Sequence, residues 1–147
     1  MSRIPRPGEL GRLSRAEWAL SLDAALLLPM AAVALTVGGV QPTCAVVDRW
    51  PMFSARWRRA LTPHRVGTVV AAVASLYGAR CLASAIVVHG VLRRLGVACE
   101  LVIGVTGFGA QFRSHAWVER DGIVAPGQSA EGYRAIHRFT GPGPRAD

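Results

Sequence analysis

The first part of the chain carries apolar residues at helical spacing behind a helix-start signal. Ser14 and Glu17 form the Ser-x-x-Glu pattern of a capping box, in which each residue bonds the backbone N–H of the other. The pattern predicts a helix over residues 16–28. Pro29 predicts a kink or a restart, and the glycines at 38–39 predict the end of this apolar segment.

Further helical segments follow before residue 96. Gln41-Pro42 predicts a turn, residues 51–60 mix aromatic residues with arginines as a short amphipathic helix does, and residues 66–76 are apolar. Apolar residues between positions 81 and 95 recur at helical spacing, and Gly96 is suited to cap the helix that they predict.

The hydrophobic period changes from helix to strand after Gly96. Residues 98–105 and 112–119 predict strands, and Asp121-Gly122 is a strong signal for a two-residue hairpin turn that leads into residues 123–125. Residues 131–139 fit a short helix or a strand. Helices followed by antiparallel strands define the α+β class.

Composition supports a single globular domain. The chain has 147 residues, of which 51% are hydrophobic and 18% charged, so it can bury a substantial core and is too apolar for a disordered chain. The sequence shows no internal repeat period, which excludes repeat architectures. Three cysteines, at positions 44, 81 and 99, are too few for a disulfide-rich secreted scaffold and suit a reducing cytosol.

The net charge of +8 comes from arginine alone, because all 17 basic residues are Arg. Such an excess can attract nucleic acid, anionic lipid or an acidic peptide. The arginines are scattered, and no nucleic-acid motif accompanies them. We therefore attribute the bias to a GC-rich genome and predict no nucleic-acid partner.

Residues 24–47 contain no charged side chain and are long enough to span a bilayer. Pro29, Gly38 and Pro42 interrupt this run. A buried or membrane-surface helix is the favoured interpretation. A spanning helix and a cleaved signal peptide are the alternatives.

The chemistry centres on Cys81, at the predicted start of a helix. Free N–H groups and the helix dipole favour a thiolate there and can hold an oxyanion. A nucleophilic cysteine needs a histidine. His64 follows Pro63 in a predicted loop, His89 lies about two turns along the same helix, and His137 is near the frayed end of the chain, whereas His115 lies on a predicted strand after this helix. The alternative without catalysis is that Cys81 is an ordinary buried cysteine of a helix and His115 an ordinary histidine of the core. Cys44 and Cys99 are predicted to be inert core thiols, and no metal-ligand spacing is present.

Several segments together resemble one enzyme family. They are residues 80–82, 92–97 and 100–105, the His115-Ala116-Trp117-Val118-Glu119 strand and the Asp121-Gly122 turn. The chain resembles the lasso-peptide leader peptidases over about residues 75–139. These are cysteine proteases with a transglutaminase-like, papain-like core. The short chain, without a leader-recognition domain, is similar to the split form of the enzyme.

The resemblance implies a cysteine endopeptidase that removes the leader from a ribosomally made lasso-peptide precursor. Cys81 would be the nucleophile and His115 the general base and acid. The expected partners are the precursor leader, a small leader-recognition protein and an ATP-dependent lasso cyclase, and no cofactor is expected. The expected location is the cytoplasm, with membrane-surface association as an alternative. A catalytically silent binding module of the same complex, or a small Arg-rich membrane protein anchored by residues 16–47, are the rival functions.

The expected organisation has three parts. Residues 1–62 form an N-terminal helical region that packs on the core, residues 63–140 form the transglutaminase-like peptidase core, and residues 141–147 form a flexible tail. In the core, the cysteine begins a helix and the histidine lies on an antiparallel sheet.

The third catalytic residue departs from the family pattern. The family carries an Asp about a dozen residues after the His, whereas this chain has Ala125-Pro126-Gly127-Gln128. A two-residue hairpin loop would place Gln128 opposite His115, where its amide oxygen would orient the imidazole. The alternatives are a dispensable third member or a distant carboxylate such as Glu131 or Asp48. A neutral orienting group stabilises the imidazolium less than a carboxylate does, which predicts a slow enzyme.

Overall fold

The computed structural model describes residues 13–126 and 128–140. The predicted tail 141–147 lies outside them. The described part contains four α-helices, two 3₁₀ segments and four strands in an α+β arrangement. In chain order they are α1 (Arg15–Gly38), α2 (Val40–Arg49), a 3₁₀ segment (Phe53–Ala60), α3 (Pro63–Tyr77), α4 (Cys81–Arg94), β1 (Glu100–Thr106), a 3₁₀ turn (Gly109–Gln111), β2 (Arg113–Arg120), β3 (Ile123–Val124) and β4 (Arg134–Phe139).

The predicted capping box begins α1. The Ser14 N–H donates to Glu17 Oε2 at 2.8 Å, and the Glu17 N–H donates to Ser14 Oγ at 3.2 Å. The helix continues past Pro29 to Gly38 without a restart. The turn predicted at Gln41-Pro42 is wrong, because both residues lie in the first turn of α2. Proline is tolerated there, since the first N–H groups of a helix have no intrahelical acceptor.

Glycine ends α4 as predicted. Gly96 has φ 79°, its N–H donates to the Arg93 carbonyl, and the Val97 N–H donates to the Leu92 carbonyl, both at 3.0 Å. These two bonds form a Schellman motif. The motif reverses the chain so that β1 returns along the helix.

The strands form an antiparallel sheet in the order β3-β2-β1-β4. The β1–β2 register runs from Glu100 opposite Glu119 to Thr106 opposite Arg113. Asp121 and Gly122 have φ of 52° and 76° and form the predicted two-residue turn. The segment 131–139, which fitted a helix or a strand, supplies β4 on the other side of β1.

Helix α4 lies in the middle of the molecule. Nine of its residues, Ala83 and then Ala85–Leu92, are buried. It packs against α1, α2 and α3 and against the sheet. A helix that is apolar on all sides is expected in such a position. The element that begins with Cys81 is therefore enclosed by both layers.

One face of α1 is buried in the core, through residues such as Leu20 and Leu27. The opposite face is apolar but exposed, with Leu22 55% and Val33 65% accessible. By length and composition α1 is also able to cross a membrane, and one third of its most apolar stretch is buried within the protein.

A buried aspartate joins α1 to the 3₁₀ segment. Asp23 is fully inaccessible, and its two carboxylate oxygens accept from the N–H groups of Phe53 and Ser54, each at 2.8 Å. The carboxylate thereby caps the segment that connects α2 to α3.

An apolar cavity marks one end of the molecule. Leu92 and Pro63 line an apolar cavity of about 280 Å³ together with residues of β2 and the Asp121-Gly122 turn. This is the hairpin end. The last turn of α3 and the start of α4 lie at the far ends of these two helices.

His89, on α4, makes stability dependent on pH. The side chain is 2% exposed, and its Nε2 has no hydrogen-bond partner among the described residues. Burial, with a smaller effect of Arg93, lowers the pKa of His89 to about 4 from 6.5. Because the unfolded chain takes up the proton first, stability is full above pH 6.5 and falls as the pH drops towards 4. We expect the free energy of unfolding at pH 5 to be about 2 kcal/mol lower than at pH 7.

Urea denaturation at the two pH values measures this difference. His89→Gln, which keeps a polar side chain but removes the titration, should reduce it substantially. An equal pH dependence in the variant would contradict the assignment to His89.

Candidate active site

Cys81 is the first residue of α4. The N-cap residue, Arg80, supplies no side-chain hydrogen bond, and the first intrahelical bond runs from the Ser84 N–H to the Arg80 carbonyl at 3.2 Å. The N–H groups of the first helical turn therefore point out of the helix without an intrahelical acceptor. The thiol is partly exposed. A partly accessible sulfur beside free N–H groups is the setting that a nucleophilic cysteine requires.

His115 lies near the start of β2, opposite Gly104 of β1, and is partly buried. Its ring centroid lies 4.9 Å from that of Tyr133 and 6.1 Å from that of Trp117. Alternation along β2 puts His115 and Trp117 on one face. The intervening residue, Ala116, points into the core shared with the helices.

Cys81 begins the helix that packs on β2, whereas alternation along β2 puts His115 on the sheet face opposite to the one that α4 covers. From Leu92 at the hairpin end, α4 runs back about 16 Å to Cys81. From Val118, which lines the same cavity, β2 runs back about 10 Å to His115. Within the described ranges no hydrogen bond joins the two side chains. Catalytic hydrogen bonds are often long or poorly aligned without substrate.

Gln128 does not make the predicted contact with His115. The β2–β3 register follows the prediction as far as Ala125, whose N–H donates to the Val118 carbonyl at 2.8 Å. The chain then turns, since Pro126 has no N–H and the Ala125 carbonyl accepts from the Gln128 N–H at 3.2 Å. The Gln128 side-chain Oε1 instead accepts from the Val118 N–H at 2.6 Å. The amide oxygen thus completes the strand ladder three residues away from His115.

The two carboxylates considered as alternatives lie in different places. Asp48, on α2, accepts from Arg93 Nη1 at 2.8 Å in the C-terminal half of α4. Glu131 is exposed in the loop that leads to Tyr133. Asp48 is therefore engaged in a structural ion pair, while Glu131 is two residues from the ring that contacts His115.

An aromatic and charged network on the His115 face was not predicted. Trp117 Nε1 donates to Glu119 Oε1 at 2.7 Å, and Arg138 Nη1 donates to Glu119 Oε2 at 2.7 Å and to Glu100 Oε2 at 2.9 Å. The indole hydrogen bond, together with Arg138, lowers the pKa of the Glu119 carboxyl. Alternation along the strand places His115, Trp117 and Glu119 on one face, so the sequence could have predicted that these three side chains are neighbours. Nothing local identified Tyr133.

Gly104 makes room for this network. A Cβ at this position would lie 2.5 Å from Cη2 of Trp117 and 3.0 Å from the Arg134 carbonyl. The indole therefore lies across β1 where a side chain would otherwise be, and it is 98% buried although it belongs to the outer face of the sheet. The Trp117 ring in turn stacks beside the His115 ring.

The other two cysteines lie in the core or pack against it. Burial, and to a smaller extent Asp48, raises the pKa of the Cys44 thiol, and burial raises the pKa of Cys99 to about 11. Both are thiols rather than thiolates near neutral pH, as expected for core cysteines. Among residues 13–126 and 128–140, no group of three His, Cys, Asp or Glu side chains could hold a metal ion.

A helix that starts with cysteine, followed by an antiparallel sheet that carries histidine, defines the papain-like and transglutaminase-like class of cysteine enzymes. A family model described as the transglutaminase-like superfamily matches residues 18–138, which is most of the chain. The chain therefore belongs to the transglutaminase-like superfamily, which includes cysteine peptidases and transglutaminases. No curated protein and no solved structure matches it.

The match confirms the predicted fold class. It begins at Trp18 and so includes the N-terminal helices as well as the Cys81–His115 region.

Proposed function

We propose that this chain is a cysteine peptidase that removes the leader from a ribosomally made lasso-peptide precursor. Cys81 at the uncapped N-terminus of α4, followed by His115 on the antiparallel sheet of a transglutaminase-like chain, is the observation that carries the peptidase proposal. The resemblance of residues 75–139 to the leader peptidases supports the choice of substrate.

In the acylation step, the Cys81 thiolate attacks the carbonyl carbon of the scissile peptide bond. The new S–C bond pushes an electron pair onto the carbonyl oxygen, and backbone N–H groups at the start of α4 stabilise this oxyanion. When the oxyanion collapses, the C–N bond breaks and the His115 imidazolium donates a proton to the leaving amine. The products are a free amine and a thioester on Cys81.

In the deacylation step, neutral His115 takes a proton from water as the water oxygen attacks the thioester carbonyl. The C–S bond then breaks, which releases the carboxylic acid and restores the Cys81 thiolate and the His115 imidazolium. No external oxidant, reductant or cofactor is needed to balance either step.

In this proposal, two aromatic rings rather than a carboxylate orient the His115 imidazole. Tyr133 and Trp117 contact the imidazole, and Gln128 is engaged with the backbone of Val118. Ring contacts limit rotation of the imidazole but add no negative charge to stabilise the imidazolium. This supports the expectation of a slow enzyme.

The second candidate is a binding module of the same biosynthetic complex without catalysis. Two observations favour it: the side chains of Cys81 and His115 share no hydrogen bond in the described structure, and the stretch Ala125-Pro126-Gly127-Gln128, where the family carries its aspartate, contains no carboxylate. Under this hypothesis the fold would hold the leader and the cyclase together.

The proposed partners are a small leader-recognition protein, which presents the precursor, and an ATP-dependent lasso cyclase, which uses the freed N-terminus. We propose a cytoplasmic location. The exposed apolar face of α1 is the surface that would contact a partner or a membrane surface.

Cleavage of the precursor tests the proposal. A lasso-peptide precursor that carries its leader is incubated with the protein, with and without a leader-recognition protein, and the products are identified by mass spectrometry. We expect one cut at the leader–core junction, faster with the recognition protein present. If the folded protein with its partner binds the precursor but does not cut it, the binding-module hypothesis replaces the peptidase.

A further inference from the structure

Helix α1 presents a row of large apolar side chains to solvent. Five of them are between 47% and 85% accessible: Trp18, Leu22, Leu26, Val33 and Val37. We term these five residues the α1 stripe. We propose that the α1 stripe binds the surface of an anionic lipid bilayer, with α1 lying in the plane of the membrane interface. The inference concerns where the protein is held and not the cleavage reaction, so its failure would leave the peptidase proposal in place.

The spacing of the α1 stripe puts its members on one side of the helix. At 3.6 residues per turn the five positions fall within about 100° of the helix circumference and extend over about 28 Å of its length. Leu20, Leu27 and Ala31 lie on the opposite side and are buried, where α1 packs on α3 and α4. A spanning helix would have to withdraw this face, with the inaccessible Asp23, from the protein. The packing therefore fits a helix that lies on a membrane rather than one that crosses it.

No charged side chain interrupts the α1 stripe. Only two charged residues lie between positions 16 and 38, and both are engaged within the protein. Glu17 pairs with Arg65, and Asp23 accepts from the backbone N–H groups of Phe53 and Ser54. A long apolar face without charge on the surface of a protein marks an interaction site.

The helical layer that carries the α1 stripe is strongly basic. Residues 13–99 contain nine arginines and three carboxylates, whereas residues 100–140 contain four of each. The third carboxylate of the helical layer, Asp48, is paired with Arg93. An apolar helix face on a cationic layer is the combination that binds anionic bilayers. A second copy of the chain fits this face less well, because two molecules that each carry a charge of +8 repel one another.

The first turn of α1 carries two groups suited to lipid headgroups. Arg15 is exposed and precedes Trp18 by three residues, so the two side chains share one side of the helix. A guanidinium group bonds phosphate, and tryptophan prefers the membrane–water interface. The ligand chemistry is therefore an anionic phospholipid in a bilayer, with its phosphate at Arg15 and its acyl chain against Leu22 and Leu26.

Vesicle flotation of the full chain tests the inference. The protein is mixed with vesicles of phosphatidylcholine alone or of an equimolar mixture with phosphatidylglycerol, at low and at high salt, and the bound fraction gives a partition coefficient. At low salt we expect this coefficient to be about tenfold or more higher on the anionic vesicles. The difference should shrink at high salt, because salt screens the headgroup charge.

Paired variants assign the binding to the α1 stripe. Leu22→Ser combined with Leu26→Ser should lower the partition coefficient on anionic vesicles about tenfold or more, because two exposed leucines no longer enter the bilayer. Leu22→Ile with Leu26→Ile should retain it. Ile123→Ser combined with Ile136→Ser is the matched control, because it removes the same number of carbon atoms from exposed positions on the sheet. The control should stay within about twofold of the parent. Circular dichroism verifies that each variant is folded.

Several outcomes would overturn the inference. They are a folded parent that binds neither kind of vesicle, binding that the double serine variant of Leu22 and Leu26 leaves unchanged, and binding that alkaline carbonate does not reverse, which would indicate a spanning helix. A parent that is dimeric by light scattering and monomeric as the double serine variant would assign the α1 stripe to a second copy. Loss of binding to a leader-recognition protein in that variant, when the parent binds no vesicle, would assign it to a protein partner.

Discussion

Replacing Cys81 with alanine should lower the rate of leader cleavage by about 10³-fold or more. The variant has no sulfur to form the thioester, so both covalent steps are lost and only binding and oxyanion stabilisation remain. The fold should persist, because Cys81 is partly exposed at a helix start and its thiol makes no hydrogen bond with any residue that the structure describes. Mass-spectrometric rates on the precursor, with far-UV circular dichroism to verify folding, measure the effect.

The chain supplies matched controls for this replacement. Cys44→Ala and Cys99→Ala remove thiols whose pKa values are raised by burial, and each should leave the cleavage rate within about threefold of the parent. Cys81→Ser keeps the size of the side chain but supplies a much weaker nucleophile, so it should resemble Cys81→Ala. Cleavage that continues in the folded Cys81→Ala protein would contradict the mechanism.

Replacing Asp23 with alanine should destabilise the fold by about 3–5 kcal/mol. The carboxylate is inaccessible and accepts two backbone N–H bonds, and a hydrogen bond to a charged group contributes about 1.5–3 kcal/mol. Alanine would leave the N–H groups of Phe53 and Ser54 without these acceptors. Urea denaturation followed by circular dichroism measures the loss.

A graded series makes this result specific. Asp23→Asn keeps one acceptor oxygen but points an amide donor at the other N–H, so it should lie between the parent and Asp23→Ala. Glu131→Ala, at an exposed loop position, should change the free energy of unfolding by less than about 0.5 kcal/mol. An Asp23→Ala protein as stable as Glu131→Ala would disprove a role for this carboxylate in anchoring the 3₁₀ segment.

The features that could be predicted from sequence depend on neighbouring residues. The Ser14–Glu17 capping box, the Gly96 helix end and the Asp121-Gly122 turn each involve bonds within a few positions. The change from helical to alternating period after Gly96 then gives the order of the layers. For that reason the α+β class and the place of Cys81 at a helix start follow from local pattern.

The wrong or missing predictions concern features that a local sequence pattern does not determine. Gln41-Pro42 has turn composition, but a proline in the first turn costs a helix nothing, and α2 forms. The register correctly extended to Ala125, yet Gln128 binds Val118 because Pro126 interrupts the ladder. Tyr133 reaches His115 from a loop 18 residues later, a contact that no local pattern encodes.

The enclosed position of α4 has a consequence for motion at the site. Amide hydrogens in a helix buried on all sides exchange with solvent only when the whole domain opens, whereas those of exposed loops exchange through local opening. The buried stretch Ala85–Leu92 of α4 is therefore expected to exchange most slowly, whereas the exposed Gly107–Phe112 loop is expected to exchange through local opening. Motion of this loop would leave the helix that begins with Cys81 in place.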